Sequence, residues 1–506
     1  MAIFTSLNTV LFAIFAFIFY TIGLVLYRLF LSPTSKFPGS KLAASTLWYE
    51  FYYEAILPGQ FTFKIREWHE KYGPIIRINP YEIHVDDPGF YHTVFSNSGI
   101  RDKHAFYTGQ FGNPNTAFGA VSHDTHRMRR QALNPLFSKA SVVRLTPVIS
   151  TIIEKLCRRI DEVKGTDRPL NMRLVYMCFT TDVVTRYALN RSWDLLDSAD
   201  FSPLWKEMVR STGEMTKWTK QFPWLFGVVK TLPEWVIKGL KPDLGLVLDM
   251  QTKINTQILQ IMQEKEPKPA ISDEQEQLPR TIFHALWNNP NIPSEEKSID
   301  HLGQTGQDVI GAGGESTGAA LAVTTFYLLN TPRALKKLKT ELEEAMPDKY
   351  GQWALSLAEG LPYLTGVVLE GLRLFYGVSS RLSRIAPTTP LKYQNWEIPA
   401  NTPIGLTNLL LHHHPSIFPD SHSFLPERWL DNRPLEHYLF SFSKGSRQCV
   451  GINLAKAEIF LTLATLFRRF EMELFDTTFE RDVDVRRDMF LPQPSRESRG
   501  IRVVFR

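Results

Sequence analysis

The chain has 506 residues, 43% of them hydrophobic and 22% charged, the balance of a folded protein with room for a large core. Its formal net charge of +5 is too small for this length to point to nucleic acid. Three cysteines, Cys157, Cys178 and Cys449, exclude a disulfide scaffold and suit a reducing compartment, and the absence of C-x-x-C and H-E-x-x-H spacings removes the strong zinc signatures.

In chain order, "TVLFAIFAFIFYTIGLVLY" over residues 9–27 carries no charge and is long enough to cross a hydrocarbon core of about 30 Å as a helix. No basic stretch precedes it and no small-residue cleavage site follows, so a retained anchor over 9–31 is expected, with residues 1–8 in the lumen. Arg28, Lys36 and Lys41 follow, and the positive-inside bias puts the remainder in the cytosol. "SPTSKFPGSK", 32–41, reads as a linker punctuated by proline and glycine that lifts a domain of residues 42–506 off the membrane.

Residues 61–71 have a helical pattern, and "GPIIRINPYEIHVDDP" alternates with period two around Pro80, predicting strand, turn, strand. Helices are expected near 122–133, 145–162, 171–188, 202–217, 244–264, 298–329, 332–346 and 451–470, with short strands and loops past 386. A charged, proline-bearing insert at 264–280 reads as the most flexible loop. The fold class is therefore mainly α with small β-sheets, as one large domain. Cys157 and Cys178 lie in periodic apolar surroundings and read as core.

The segment 298–330 is long for a globular helix and holds Gly311, Gly313, Gly314 and Gly318 in its middle. Glycine costs up to about 1 kcal/mol in a helix relative to alanine, so four of them need a reason. A flat bulky group lying against the helix would supply one, with Glu315, Ser316 and Thr317 as the acid and hydroxyls beside it.

"FSKGSRQCVG", 442–451, sets Cys449 between glycines and after a basic residue. A tight glycine turn presenting backbone N–H groups to a sulfur suits an axial iron thiolate; a cysteine nucleophile with one of the thirteen histidines as base is the other reading.

Four stretches in order resemble the motifs of the cytochrome P-450 family of haem-thiolate monooxygenases, and the likeness covers essentially the whole chain. They are "AGGES" at 312–316, "EGLR" with Glu370 and Arg373, "FLPERW" with Arg428, and Phe442, Gly445, Arg447, Cys449 and Gly451 of the cysteine loop. The resemblance implies a single haem domain, haem b with Cys449 as the iron's axial ligand, and Phe442 covering the sulfur side. It also implies Arg447, Arg384, Arg130 and His126 as binders of the haem's anionic groups, with His126 where the family usually has tryptophan, and Gly313 against the ring. Ser316, where the family usually has threonine, Glu315 and Thr317 would activate oxygen. Glu370, Arg373 and Arg428 would form a buried structural cluster.

The same resemblance implies O2 as oxidant, NADPH-derived electrons through a flavoprotein reductase docking near Arg127, Arg129 and Lys444, cytochrome b5 as a further donor, and the endoplasmic reticulum membrane. The substrate stretches, 111–120, 203–230, 311–316, 377–380 and "MFLPQP", are rich in apolar side chains and imply a neutral lipophilic molecule. "YEFYY", "KYGPIIRINPYEIHVDD" and "YGVSSRLSR" resemble the filamentous-fungal branch that includes trichodiene oxygenase, so a terpenoid is the first expectation. A polyketide or indole alkaloid, or an isomerase, dehydratase or coupling reaction on the same fold, are the alternatives.

Overall fold

The structure is a computed structural model describing residues 2–264, 281–430 and 433–506. Among them, eleven helices of eleven residues or more make up most of the mass: α1 (Ala2–Leu26), α2 (Phe61–Tyr72), α3 (His123–Leu133), α4 (Lys139–Asp161), α5 (Met172–Leu189), α6 (Pro203–Gln221), α7 (Pro242–Gln263), α8 (Ile299–Leu329), α9 (Pro332–Ala345), α10 (Pro362–Phe375) and α11 (Ile452–Arg469). Of the insert expected at 264–280, residues 265–280 lie outside the described residues.

Local chemistry sets the helix starts. Ser122, Ser138 and Ser298 each stand in extended conformation before α3, α4 and α8, and each side chain accepts from a backbone N–H three residues on. α4 begins at Lys139, not at 145 as expected, because the Ser138 cap starts the helix and Pro147 is carried inside it.

Twelve short strands complete the described fold: β1 (Ile75–Arg77), β2 (Ile83–Val85), β3 (Asp102–Lys103), β4 (Leu170–Asn171), β5 (Arg384–Ile385), β6 (Leu391–Tyr393), β7 (Trp396–Ile398), β8 (Pro403–Gly405), β9 (Met472–Leu474), β10 (Arg487–Met489), β11 (Leu491–Gln493) and β12 (Arg502–Phe505). One sheet runs β1-β2-β8-β5-β3, another β4-β12-β9, with hairpins β6-β7 and β10-β11. β1 and β2 pair antiparallel in the register Ile75 to Val85, the turn read from Pro80.

The main core joins the buried faces of α4, α5, α8, α10 and α11, and a smaller one packs Ile75, Ile83, Val85 and Ile404 on the five-stranded sheet. α8 runs through the centre, and its closest helical neighbour is α5. Cys157 and Cys178 are buried, and burial pushes the Cys157 thiol up to about 12.

At the N-terminus, the span of residues 8–31 contains an 18-residue stretch with a mean hydropathy of 2.5, none of it buried, so among the described residues one helix is long and apolar enough to cross a membrane. The segment after it is not a free spacer. Phe37 is buried and stacks on Trp396 at 5.1 Å, Gly39 bridges to Arg77, and Arg77 Nη1 donates to the Arg28 carbonyl at 2.7 Å. Residues 32–41 therefore hold the domain against the end of the apolar helix.

Candidate functional site: a thiol loop facing a glycine-bearing helix

The cysteine loop is fixed by its own backbone. The Cys449 N–H donates to the Phe442 carbonyl at 2.9 Å. Gly445 adopts φ +75°, and a Cβ there would sit 2.3 Å from the Phe95 carbonyl oxygen, so only glycine fits this turn. Cys449 is exposed, yet the protein mass around it pushes its thiol up, while the Gly451 N–H and the Arg130 charge pull it down. A sulfur with a donor N–H and a nearby cation is poised to carry negative charge once it is ligated.

Behind this loop stands the Glu370 cluster, in which Glu370 and Arg373 are fully buried and Arg428 is partly so. Arg373 grips Glu370 with Nε and Nη2 at 2.9 and 2.8 Å, Arg428 Nε adds 3.1 Å, the Leu425 N–H 3.0 Å and Trp429 Nε1 2.9 Å. Five donors satisfy one carboxylate, which is the condition for a buried charge to be tolerated.

His412 then joins the cluster to the cysteine loop, and sequence reasoning missed it inside the run "HHH". Arg373 Nη1 donates to the His412 carbonyl at 2.9 Å, and His412 Nδ1 donates to the Arg373 carbonyl at 2.8 Å. Its Nε2 accepts the Phe440 N–H at 2.9 Å, two residues before Phe442. Burial drives its pKa down to about 3, so the ring stays neutral with the proton on Nδ1.

On the other side, α8 presents a different face from the one expected. Gly313, Gly314 and Gly318 point at α5: a Cβ would lie 2.9 Å from Val184 Cγ2, 2.5 Å from Thr181 Oγ1 and 2.7 Å from the Met177 backbone nitrogen. These glycines serve helix–helix approach, and Gly313, expected against a ring, has the side where a Cβ would stand turned to α5. Thr317 is buried on this same side. Gly311 and Ala312 are exposed although α8 is central, and nothing stands within 4 Å of a Cβ built on Gly311. Ser316 is next on that open face, its Oγ donating to the Ala312 carbonyl at 2.8 Å. Glu315 is drawn off it by Arg173 of α5, at 3.0 Å.

The residues fit a flat dianion between loop and helix. Arg447 is buried and reaches only carbonyls: Ala120 at 2.7 Å, Val121 at 2.8 Å, Ser122 at 3.0 Å and Arg101 at 3.3 Å. Arg384 is buried with the Leu382 and Ser383 carbonyls. Lys103, which the sequence reading missed, is buried beside them, bonded to the Phe118 carbonyl, with its Nζ 3.7 Å from the centre of the Phe118 ring. Burial and mutual repulsion push Arg447 to about 9, burial takes Arg384 to about 10, and both effects hold Lys103 well below its ordinary value. Three buried cations bonded to carbonyls and to no carboxylate are the donor set that a haem's propionates would satisfy.

Other expected binders are engaged elsewhere. His126 holds Ala117 O at 2.8 Å and approaches Ser446 O at 3.2 Å, tying the 111–120 loop to the cysteine loop; burial and the Arg447 charge take it to about 4. Arg130 reaches the Gln448 carbonyl at 2.8 Å, beside the thiol. Arg129 pairs bidentately with Glu296 at 2.8 Å, which withdraws it from the basic face left to Arg127 and Lys444.

Over the open face of α8, Phe111 meets Phe118 edge to face at 5.2 Å between ring centres and Phe490 at 4.9 Å. Asn113 donates to Asp308 of α8 at 2.9 Å, one turn before Ala312, and so seats this loop above the chamber. Phe490 closes the β10-β11 turn at φ +77°, a strained position for a bulky side chain. Among the described residues, no cluster of His, Cys, Asp and Glu could hold a metal ion by itself.

A family model described as Cytochrome P450 matches residues 39–498. A cytochrome P450 monooxygenase of Ascocoryne sarcoides is 58% identical over 96% of both chains. The tryptophan 6-hydroxylase of Fusarium equiseti is 38% identical over 97% of this chain and 96% of its own, and the N-acetyltryptophan 6-hydroxylase of Emericella nidulans 38% over 95% and 94%. A solved cytochrome P450 superposes with TM-score 0.71 at 16% identity, covering 88% of this chain and 99% of that one. These relatives carry the fungal branch but draw no particular line to trichodiene oxygenase. The thiol loop, its buried cluster and the helix facing it are thus those of a known class: the chain belongs to the cytochrome P450 family, as a monooxygenase of its fungal secondary-metabolism clade.

Proposed function

We propose that this enzyme hydroxylates an aromatic carbon of an indole-bearing fungal metabolite, with O2 and NADPH-derived electrons supplied through a flavoprotein reductase at the membrane. The observation that supports it is the wall formed by Phe111, Phe118 and Phe490, whose mutual edge-to-face geometry is the one a further aromatic ring joins at about 0.5–1.5 kcal/mol per pair beyond its burial. Two relatives named for tryptophan ring hydroxylation support the same reading. A terpenoid, the first expectation, would be held by apolar contact alone.

When bound, haem would supply the activation of O2, the source of the oxygen atom that enters the product. Cys449 would hold the iron through its sulfur, and Lys103, Arg384 and Arg447 would hold the propionates. Ser316 keeps a hydroxyl proton on the open face of α8, parked on the Ala312 carbonyl and free to turn outward. Glu315 reaches that face only by releasing Arg173. The phenylalanines exclude water and orient the ring.

Residues 9–31 would anchor the enzyme in the endoplasmic reticulum, with 42–506 as the cytosolic catalytic domain and cytochrome b5 as a second electron donor. The test is reconstitution with reductase and NADPH, offering tryptophan derivatives and sesquiterpenes in parallel. A hydroxylated indole product is expected; turnover of terpenoids alone would sink the reading.

A further inference from the structure

The chamber wall toward α6 is not apolar. Lys217 of α6 is 3% exposed, and among the described residues its ammonium makes no hydrogen bond or ion pair. The carboxylate whose charge it meets is Asp488. Its hydrogen bonds come from other groups: Oδ2 takes Thr62 Oγ1 at 2.5 Å, and Oδ1 takes Ser379 Oγ at 2.9 Å, Ser380 Oγ at 2.5 Å and the Phe490 N–H at 3.1 Å. Lys217 offsets the charge of Asp488 through space, and its three N–H bonds are left unspent.

Two more donors nearby are unspent. Gln110 Nε2 and Tyr107 Oη are buried without a partner. Gln110 lies under α6, its carbonyl accepting from Thr219 Oγ1 at 2.7 Å, and Tyr107 lies beside Ser380. An unmet buried donor costs roughly 1–3 kcal/mol, and Tyr107 and Lys217 both lie near Asp488, so these unmet donors suit an acceptor that arrives from outside the chain.

Position ties this pocket to the aromatic wall. Gly213 is one turn before Lys217 on the same face of α6, and a Cβ there would lie 3.5 Å from the Met489 carbonyl oxygen. Lys217 therefore stands over the β10-β11 hairpin, whose next residue is Phe490. Gln110 is next to Phe111. The cation and the two neutral donors thus border the wall that would hold a ring.

We infer that Lys217, Tyr107 and Gln110 form an anchor for a substrate carboxylate, so that the substrate is an aromatic carboxylic acid of the indole-alkanoate or N-acylated aromatic amino acid class. This rests on the proposed indole reading for the ring, and it replaces the neutral molecule expected from the sequence. A charge-assisted anchor with two neutral donors gives an acid about tenfold or greater preference over its ester.

The experiment uses the haem-loaded full chain in detergent and reads the Soret shift on titration. The probes are indole-3-propionate, its methyl ester, 3-cyclohexylpropionate and its methyl ester. The expected result is acid over ester by at least about tenfold in both series, indole over cyclohexyl, and an acid-to-ester ratio near one in Lys217→Met. Equal binding of indole acid and indole ester by the wild type overturns the anchor while leaving the indole reading intact. Acid preference without ring preference does the reverse. If Lys217→Met loses its 450 nm carbon monoxide band, Tyr107→Phe/Gln110→Leu takes its place, and an undiminished acid preference in that variant overturns the anchor.

Discussion

Glu315 of α8 and Arg173 of α5 are joined at 3.0 Å, and this ion pair draws the acid next to Ser316 in sequence off the open face of α8. In Glu315→Gln kcat should fall about 10²-fold, with the 450 nm carbon monoxide band unchanged. In Arg173→Met the carboxylate is released from its partner, and kcat should change while the band again stays in place. Product formation with reductase and NADPH measures both, and an unchanged kcat in Glu315→Gln would remove Glu315 from proton delivery.

His412 gives a pH dependence of stability with a definite sign. Its folded pKa of about 3 lies below the ordinary 6.5, so between these values the unfolded chain binds a proton that the fold refuses. Its contribution is complete above pH 6.5 and is lost as pH falls toward 3, at about 1.4 kcal/mol per unit. His412→Gln keeps a donor for Arg373 and an acceptor for Phe440 but does not titrate. The stability gap between wild type and variant, from urea melts of the holoprotein, should narrow by about 1 kcal/mol from pH 6.5 to 5.5.

Lys103 is a buried cation that no carboxylate neutralises. Lys103→Met should therefore raise the melting temperature of haem-free protein while weakening haem binding about tenfold. Calorimetry of the apoprotein and haem transfer to apomyoglobin separate the two effects, and a fall in both would make Lys103 merely structural.

Gly445 and Glu370 act on the thiol from two directions. Gly445→Ala must move Phe95, at the end of the short helix Tyr91–Val94, or the loop, so its reduced carbon monoxide complex should absorb near 420 nm instead of 450 nm. Glu370→Ala leaves Arg373 and Arg428 buried without their anion, at a cost of about 3–5 kcal/mol, and should be recovered largely without haem.

The helices and the strand pair around Pro80 were legible because periodicity and capping are local. The cysteine loop and the Glu370 cluster were legible as motifs. What failed was direction. Spacing placed four glycines on one helix but could not say that three of them turn toward α5, more than a hundred residues earlier. His126, Arg129 and Arg130 read correctly as basic, yet their partners, Ala117, Glu296 and Gln448, are chosen by tertiary approach. Lys103, His412 and Lys217 had no local signature: each matters through groups brought to it from 15 to more than 200 residues away.

Gly311 stands apart from its three neighbours. Gly313, Gly314 and Gly318 are held by their packing on α5, so selection cannot enlarge them without displacing a helix. A methyl at 311 meets nothing within 4 Å and extends from the open face of α8. Evolution thus has at this glycine a place on α8 where the space before the helix can be trimmed a carbon at a time while the scaffold stays unaltered, and divergence in substrate among descendants of this sequence should register there early.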